Sequence, residues 1–515
     1  MKKLPIAKTE IREIIEDDFC YVDKTKFIKM MVDDAHGYYF LSRPRRFGKS
    51  LFVDTMREAF SGKKELFKGL YIEKNWDWSV KYPVVSISFG GGTVNSREEL
   101  KIRLTEILDT NLRNYPIILE KQSIAGRFDE LIFKLYNKFN QQVVILIDEY
   151  DKPILDNITK PAVEEIREEL ASFYSVLKDS SDYLKFVFMT GVSKFSKTSI
   201  FSKLNNITDI SLEEKYADIC GYTQTDLENV FADYLHNVDM EKVKEWYNGY
   251  NFTGNSVYNP YDVLMFLWNN KYEAHWFKTG TPTFLLDLIK KQKYFVPKLE
   301  NIELSETQMS EFDINNIELE ALLFQTGYLT IYKKEQIGDN LLYSLKIPNK
   351  EVRFGLNDYL LRMFYGAGTN SSDKTELYKK IYFSLRDKKP EDLEQAFHSF
   401  FASIPHEWYR KNDIAHFEGF YSSMFYTFFG ALGLDITAED TTNKGKIDLT
   451  VSMDSAIYIF EFKMKTQAKN ALQQIHEKKY YEKYTFQNKP IYLIGIEFDE
   501  ELKNISMFEI EKKQT

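Results

Sequence analysis

The stretch FLSRPRRFGKSLF, residues 40–52, decides the fold. A short apolar run, YYFLS at 38–42, leads into it, and the pattern from Lys49 to Ser61 predicts a helix. The join between strand and helix carries Gly48-Lys49-Ser50. At such a join backbone N–H groups and the helix N-terminus surround a phosphate chain, a lysine reaches the terminal phosphates, and a serine hydroxyl serves Mg²⁺. Gly48, Lys49 and Ser50 supply those parts, Ser50 as a metal ligand, and Arg46 joins them as a nucleotide-binding residue. Arg43 stands where G-x-x-x-x-G-K-[ST] has its first glycine. A GKS tripeptide alone also occurs in solvated turns. A strand before it and a helix after it are the context a phosphate loop requires.

Further apolar, β-branched runs follow at VVSISF (84–89), VVILID (143–148) and KFVFMT (185–190), separated by helical patterns at 96–112 and 160–179. The alternation predicts a parallel α/β sheet with its ligand at the carboxyl ends of the strands. The run VVILIDEYD (143–151) ends in Asp148-Glu149, a Walker B arrangement. Asp148 is expected to hold Mg²⁺ and Glu149 to polarise the attacking water. An ordinary buried strand with a solvated acidic cap is the other reading. In KFVFMTGVSKFSK, Thr190 and Ser193 fall where a polar sensor of the γ-phosphate sits, and Lys194 and Lys197 follow as neutralising charges. Those four read equally well as ordinary polar residues at a strand end.

At 515 residues the chain exceeds a single core, and roughly two to four domains are expected. With 43% hydrophobic and 28% charged residues it has the makeup of a folded globular protein. Cys20 and Cys220 are the two cysteines, far apart and outside any CxxC pattern, which argues against a disulfide framework or zinc site and for a reducing, cytoplasmic setting. No apolar segment follows MKKLPIAKTE, so no signal peptide is expected, and no run of ~18 apolar residues predicts a membrane span. The net charge of −9 argues against nonspecific coating of nucleic acid and leaves local basic patches open.

The organisation reads as four segments. Residues 1–210 form the α/β nucleotide domain. Residues 211–350 are mostly helical and end in a hairpin, GYLTIYKKEQIGDNLLYSLKIP, which suggests a lid and a winged-helix-like module. A helical connector at 351–405 is broken by GAGTNSSDK (366–374). Residues 406–515 form a second α/β domain with strands at GKIDLTVSM, AIYIFEFK and PIYLIGIEF.

Over nearly its whole length the chain resembles bacterial AAA-ATPase-like proteins that carry a C-terminal PD-(D/E)XK nuclease-type domain. The matching stretches are YVDKTKFI (21–28), SRPRRFGKSL (42–51), VVILIDEYDKPI (143–154), SIFSKLNNITDIS (199–211), WYNGYNF (246–252), VYNPYDVLMFL (257–267) and FQTGYLTIY (324–332). The resemblance implies an ASCE/AAA-like P-loop ATPase and a restriction-endonuclease-like domain. In that family RPRRFGKS commonly lacks the first glycine, so Arg43 follows the pattern and the loop is expected to bind ATP. The missing glycine and the want of an arginine finger leave slow, switch-like turnover open.

The last part of the reading lies in GKIDLTVSMDSAIYIFEFK, where twelve residues separate Asp448 from Glu461-Phe462-Lys463. In a β-hairpin an Asp on one strand faces a Glu on the next, and strand alternation puts Glu461 and Lys463 on one face. Two carboxylates at one point make a hard-oxygen site for Mg²⁺ or Mn²⁺, and the lysine can position water and stabilise developing negative charge. E-x-K alone is common on solvated strand faces. With the upstream Asp448 it resembles the nuclease-superfamily core. The resemblance further implies a catalytic Gln474 and a Tyr480 on a following helix (471–484), and Glu418 on the preceding one as a further member of the metal shell; Glu418 reads equally as the polar start of an aromatic core helix. Seven lysines against two glutamates in 462–490 suit phosphate-backbone contact, or else a solvated lysine face. The aromatic stripe of 417–429 reads as core. Two readings stay open: an ATP-gated, metal-dependent nuclease with a nucleic-acid partner, DNA ranked ahead of RNA, or a nucleotide-dependent switch that binds nucleic acid or a partner without cutting. A homo-oligomer is left open.

Overall fold

The computed structural model describes residues 1–34, 36–194, 206–280, 285, 288–289, 292, 294–310, 318–365, 371–404, 418–465 and 470–513. Two compact units emerge, Met1–Gly280 with Glu303–Asn349, and Thr281–Ile302 with Lys350–Thr515.

In the first unit, strands β1 (Tyr38–Ser42), β2 (Val84–Ser88), β3 (Val143–Asp148), β4 (Leu184–Gly191) and β5 (Thr208–Asp209) form one sheet in the order β2-β3-β4-β1-β5. Every pairing is parallel. All six residues of β3 are buried, the near-continuous apolar run of a strand covered on both faces. Helices Lys49–Phe60, Arg97–Leu112, Ile124–Phe139 and Val163–Asp179 are the crossovers, and Ser96 and Ser123 cap two of them through their hydroxyls. The four expected strands are present. β5 is two residues long and has no periodic signal for a sequence reading to find.

Helices Gln224–Val230, Met240–Tyr247 and Pro260–Asn269 pack around Leu227, Phe231, Val243, Tyr247 and Phe266, and Cys20 and Val22 enter the same cluster. Cys20 and Cys220 are both free and buried. With β6 (Ile302–Ser305), the hairpin expected at 327–348 is present as β7 (Thr330–Ile337) and β8 (Asn340–Lys346), antiparallel.

The second unit holds helices Lys350–Tyr365, Ser371–Arg386, Glu391–Ser403 and Glu418–Ala431, and strands β9 (Asp435–Thr442), β10 (Gly445–Ser452), β11 (Ile457–Met464), β12 (Ile491–Asp499) and β13 (Asn504–Lys513). They form a mixed sheet in the order β13-β12-β11-β10-β9, in which only β11 and β12 run parallel. Helix Glu418–Ala431 is apolar core, with Phe425 stacked on Phe397 at 3.8 Å and Tyr421 on Phe498 at 4.1 Å. The sequence reading missed β9 and β13, which form the two edges of the sheet. In β9 the buried face includes the polar Asp440, and in β13 only Asn504 and Ile505 are buried while Met507 is exposed, so neither strand shows a clean apolar–polar alternation. The helix expected over 471–484 stops at Lys478, because Lys479 takes a left-handed conformation (φ 50°) and a 3₁₀ segment, Tyr480–Gln487, follows. The break expected at 366–374 falls partly outside the described residues, and Ser371 onward is helical.

Candidate functional site

In the first unit the phosphate loop leaves the carboxyl end of β1, and β4 lies between that strand and β3. Gly48 has φ 90°, a conformation open to glycine at no steric cost, and it starts helix Lys49–Phe60. A cavity of about 390 Å³ opens here, lined by Arg45, Arg46, Gly48, Lys49, Ser50 and Glu149. Its far walls come from Lys8 and Thr9 of the N-terminal segment and from Tyr261 at the start of helix Pro260–Asn269. Lys49 donates to the carbonyls of Arg43 (2.9 Å) and Pro44 (2.8 Å). Burial lowers its pKa, against the pull of Asp148 and Glu149.

Arg43 explains why the loop tolerates losing its first glycine. Its backbone needs no positive φ, and its side chain turns into the core at 1% exposure. There the guanidinium donates to the carbonyls of Ser211 (2.8 Å) and Tyr216 (3.1 Å) and stacks 4.0 Å from Phe252. A side chain sent away from the cavity leaves room for phosphates.

Asp148 ends β3 and Glu149 follows it directly. Asp148 is 8% exposed and its Oδ1 is buried without a hydrogen-bond partner, an arrangement that suits a divalent cation. Glu149 has φ 54°, unusual for a residue with a Cβ, and burial and Asp148 raise its pKa while Lys49 pulls it back. Thr190, expected as a phosphate sensor, is fully buried and donates to the Leu41 carbonyl at 2.8 Å, so its hydroxyl bridges β4 and β1 and stays out of the cavity. Ser193 donates to Asp151, and Lys194 pairs with Asp209 at 2.7 Å. Lys197 lies outside the described residues. Asp151 was missed: its Oδ2 gathers the backbone N–H of Val192 and Ser193 and the Ser193 hydroxyl, tying the Asp148-Glu149 turn to the end of β4. The repeated acid in DEYD was its only signal. YVDKTKFI acts as a clasp, Asp23 accepting from the N–H groups of Thr25 and Tyr71 and Lys24 pairing with Asp226 at 2.7 Å.

The second unit brings the other predicted residues together. Because Leu449 pairs with Phe460 in antiparallel register, Asp448 and Glu461 fall opposite one another one step further on. Asp448 Oδ2 accepts the Phe462 N–H at 2.8 Å. Glu461 is fully buried, its Oε1 accepts from the Gln474 amide, and its Oε2 has no hydrogen-bond partner. Lys463 Nζ lies 3.5 Å from Glu461 Oε1 and 3.6 Å from Glu418 Oε1. Burial pushes both the Asp448 and Glu461 carboxyls upward, and at Glu461 the charge of Asp448 adds to it. Burial also opposes the charged form of Lys463, but Asp448, Glu418 and Glu461 together outweigh it. Two carboxyls that resist ionising together, one with an orphaned oxygen, fit a divalent cation, which would reverse that penalty. The donor set is two carboxylates, and among the described residues no group of three or more His, Cys, Asp or Glu is arranged to hold a metal. Tyr480 is buried beside this cluster, its pKa raised by burial and then by Glu461.

Among the described residues, four lysines of 462–490 besides Lys463 have partners inside the unit. Lys465 pairs with Asp499, Lys479 with Glu482 and Lys483 with Asp440, while Lys489 donates to the Met453 carbonyl.

A parallel sheet with its phosphate loop and acidic strand end, in one chain with a mixed sheet carrying D…E-x-K, defines a P-loop ATPase-type protein with a nuclease-type domain. Residues 5–201 match the family model described as "Predicted AAA-ATPase", and residues 416–508 match that of the PD-(D/E)XK nuclease superfamily. A relative from Azotobacter chroococcum mcd 1, named "Uncharacterized protein in vnfD 5'region", is 45% identical over 514 residues, 99% of each chain. The chain belongs to the AAA-ATPase-like proteins with a C-terminal PD-(D/E)XK nuclease-superfamily domain. Among the described residues no helix is long and apolar enough to cross a membrane.

Proposed function

We propose that this protein binds ATP with Mg²⁺, hydrolyses it slowly, and uses the nucleotide state to gate a metal-dependent nuclease that acts on nucleic acid, DNA ahead of RNA. The buried, unpartnered Oε2 of Glu461, ringed by Asp448, Lys463 and Gln474, carries the nuclease half of this reading. A site built only for stability gains nothing from an orphaned buried carboxylate. Residues 1–210 serve as the ATPase, 211–350 as lid and winged-helix-like module, 351–405 as connector and 406–515 as nuclease, in a cytoplasmic setting.

In the ATPase, Lys49 leaves the loop carbonyls to meet the terminal phosphates, Arg46 and the Gly48 backbone contribute to phosphate binding, and Glu149 orients water. Ser50 and Asp148 would hold Mg²⁺. In the nuclease, Asp448 and Glu461 would hold Mg²⁺ or Mn²⁺, which when bound supplies a Lewis acid and a water of lowered pKa. Gln474 fixes Glu461 through Oε1, and Lys463 positions water and donates to the negative charge that develops at the scissile phosphate. The engagement of Lys465, Lys479, Lys483 and Lys489 inside the unit leaves fewer free cations for phosphate contact, which favours the partner-binding form of the second reading, a nucleotide-dependent switch that cuts nothing. Titration of the full chain with Mn²⁺, followed by calorimetry and thermal shift, tests the metal site. Binding to the wild type that is lost in Asp448→Asn and Glu461→Gln is expected. Equal binding in all three refutes the assignment.

A further inference from the structure

Lys8, Arg45, Arg46, Lys49 and Lys152 bring positive charge to the wall of the nucleotide cavity. Three of them are already engaged elsewhere. Lys8 pairs with Glu13, Lys152 donates to the Gly92 carbonyl at 2.9 Å and to Asp156 at 2.6 Å, and the Arg46 guanidinium lies 4.3 Å over the Tyr261 ring. Lys49 is the lysine of the phosphate loop, and Arg43 points into the core. Arg45 differs from all of these. Its main chain is pinned, because the indole of the buried Trp276 donates to its carbonyl at 3.1 Å. Its guanidinium is half-buried at the cavity wall and makes no hydrogen bond or ion pair among the described residues. Two carboxylates line the same cavity, Glu149 and Asp151. Asp151 is committed to the N–H groups of Val192 and Ser193 and to the Ser193 hydroxyl, whereas Lys49 and, more weakly, Arg45 favour the charged form of Glu149. A fixed backbone with an uncommitted cation in the same cavity as the phosphate-loop lysine and Glu149 suits transition-state charge.

We propose that Arg45 is a catalytic arginine for ATP hydrolysis, supplied in cis by the phosphate loop, so that turnover needs no arginine from a second copy of the chain. This rests on the ATP-binding reading of the same cavity. In the step concerned, the water oxygen bonds to Pγ as the bond from Pγ to the β–γ bridging oxygen breaks. The bond's electron pair stays on ADP, and the products are ADP, hydrogenphosphate and one proton. Negative charge grows on the bridging and γ oxygens, where a guanidinium donates in pairs. Such an arginine is worth about 10³-fold or more in kcat and little in ground-state binding.

The test uses the full chain as wild type, Arg45→Ala and Arg45→Lys. Equilibrium affinity for Mg²⁺-ADP is measured with and without aluminium fluoride, beside kcat and KM over a range of protein concentrations. Arg45→Ala should bind ADP as the wild type does, lose the tightening that aluminium fluoride gives, and fall about a thousandfold in kcat with KM little changed. Arg45→Lys should recover part of both, and the wild-type rate per chain should not depend on concentration. The proposal is overturned by wild-type turnover in Arg45→Ala, by ADP affinity lost as in Lys49→Ala, or by a rate per chain that climbs with concentration. A wild type that binds ATP and never hydrolyses it refutes Arg45 alone, whereas one that binds no ATP refutes the cavity reading as well.

Discussion

Replacing Asp54 by Asn should stabilise the ATPase-type unit at neutral pH and leave it unchanged in acid. Asp54 lies on helix Lys49–Phe60, four residues beyond Ser50, and its side chain is 9% exposed. Its Oδ2 accepts the Ile11 N–H at 2.8 Å, anchoring helix Ile11–Glu16, which follows the segment at the cavity wall. Its Oδ1 meets Arg57 at 2.5 Å. Burial is the largest influence and raises the pKa from 3.8 to about 6, with Arg57 and the Ile11 N–H pulling the other way. At about 1.4 kcal/mol per pH unit, the fold prefers the neutral carboxyl by about 3 kcal/mol. Because the folded value is the higher one, Asp54 contributes stability that is full below about pH 4 and lost as pH rises through about 6. Asn keeps an oxygen for Ile11 and never ionises, and Arg57 retains Glu58 at 3.0 Å. The variant should therefore exceed the wild type by up to about 3 kcal/mol above pH 7 and match it near pH 4. Thermal melting and hydrogen exchange of the Ile11–Glu16 amides across that pH range provide the assay. A variant that melts lower at neutral pH would mean that the Arg57 pair outweighs burial, and the reasoning fails.

Lys49→Ala should abolish ATP binding by calorimetry with little change in melting temperature, and unchanged affinity would contradict the phosphate-loop assignment. Glu149→Gln should bind ATP and hydrolyse it at least about a hundredfold more slowly, as read by phosphate release. Arg43→Ala should do the opposite of Lys49→Ala. It strands the buried carbonyls of Ser211 and Tyr216, costs about 3 kcal/mol in chemical denaturation, and leaves ADP affinity intact.

Much of this architecture was legible because its signals were strong and local. β1 and β3 run as uninterrupted apolar strands, each ending in the loop or acid pair that gives it meaning. Asp448, Glu461 and Lys463 were legible because a short hairpin fixes register, so counting residues locates the facing pair. Tertiary contacts were not legible. Thr190 has the type and place in sequence of a phosphate sensor, yet its hydroxyl donates to the Leu41 carbonyl of a neighbouring strand, which no periodicity records. Arg43 looked like a phosphate-loop residue and serves the core, because carbonyls 168 and 173 residues away receive it. Within the basic run of 462–490, Lys465 and Lys483 likewise find acids distant in sequence, Asp499 and Asp440.

The most direct test of the central claim is cleavage of DNA and RNA by the full chain with Mg²⁺ or Mn²⁺, under ATP, ADP and no nucleotide, with wild type beside Lys463→Ala. The account predicts cutting by the wild type that depends on metal and changes with nucleotide, and a fall of roughly a hundredfold or more in Lys463→Ala with nucleic-acid binding retained. A wild type that binds nucleic acid yet cuts nothing under all three nucleotide conditions would contradict it and leave the non-cleaving switch standing.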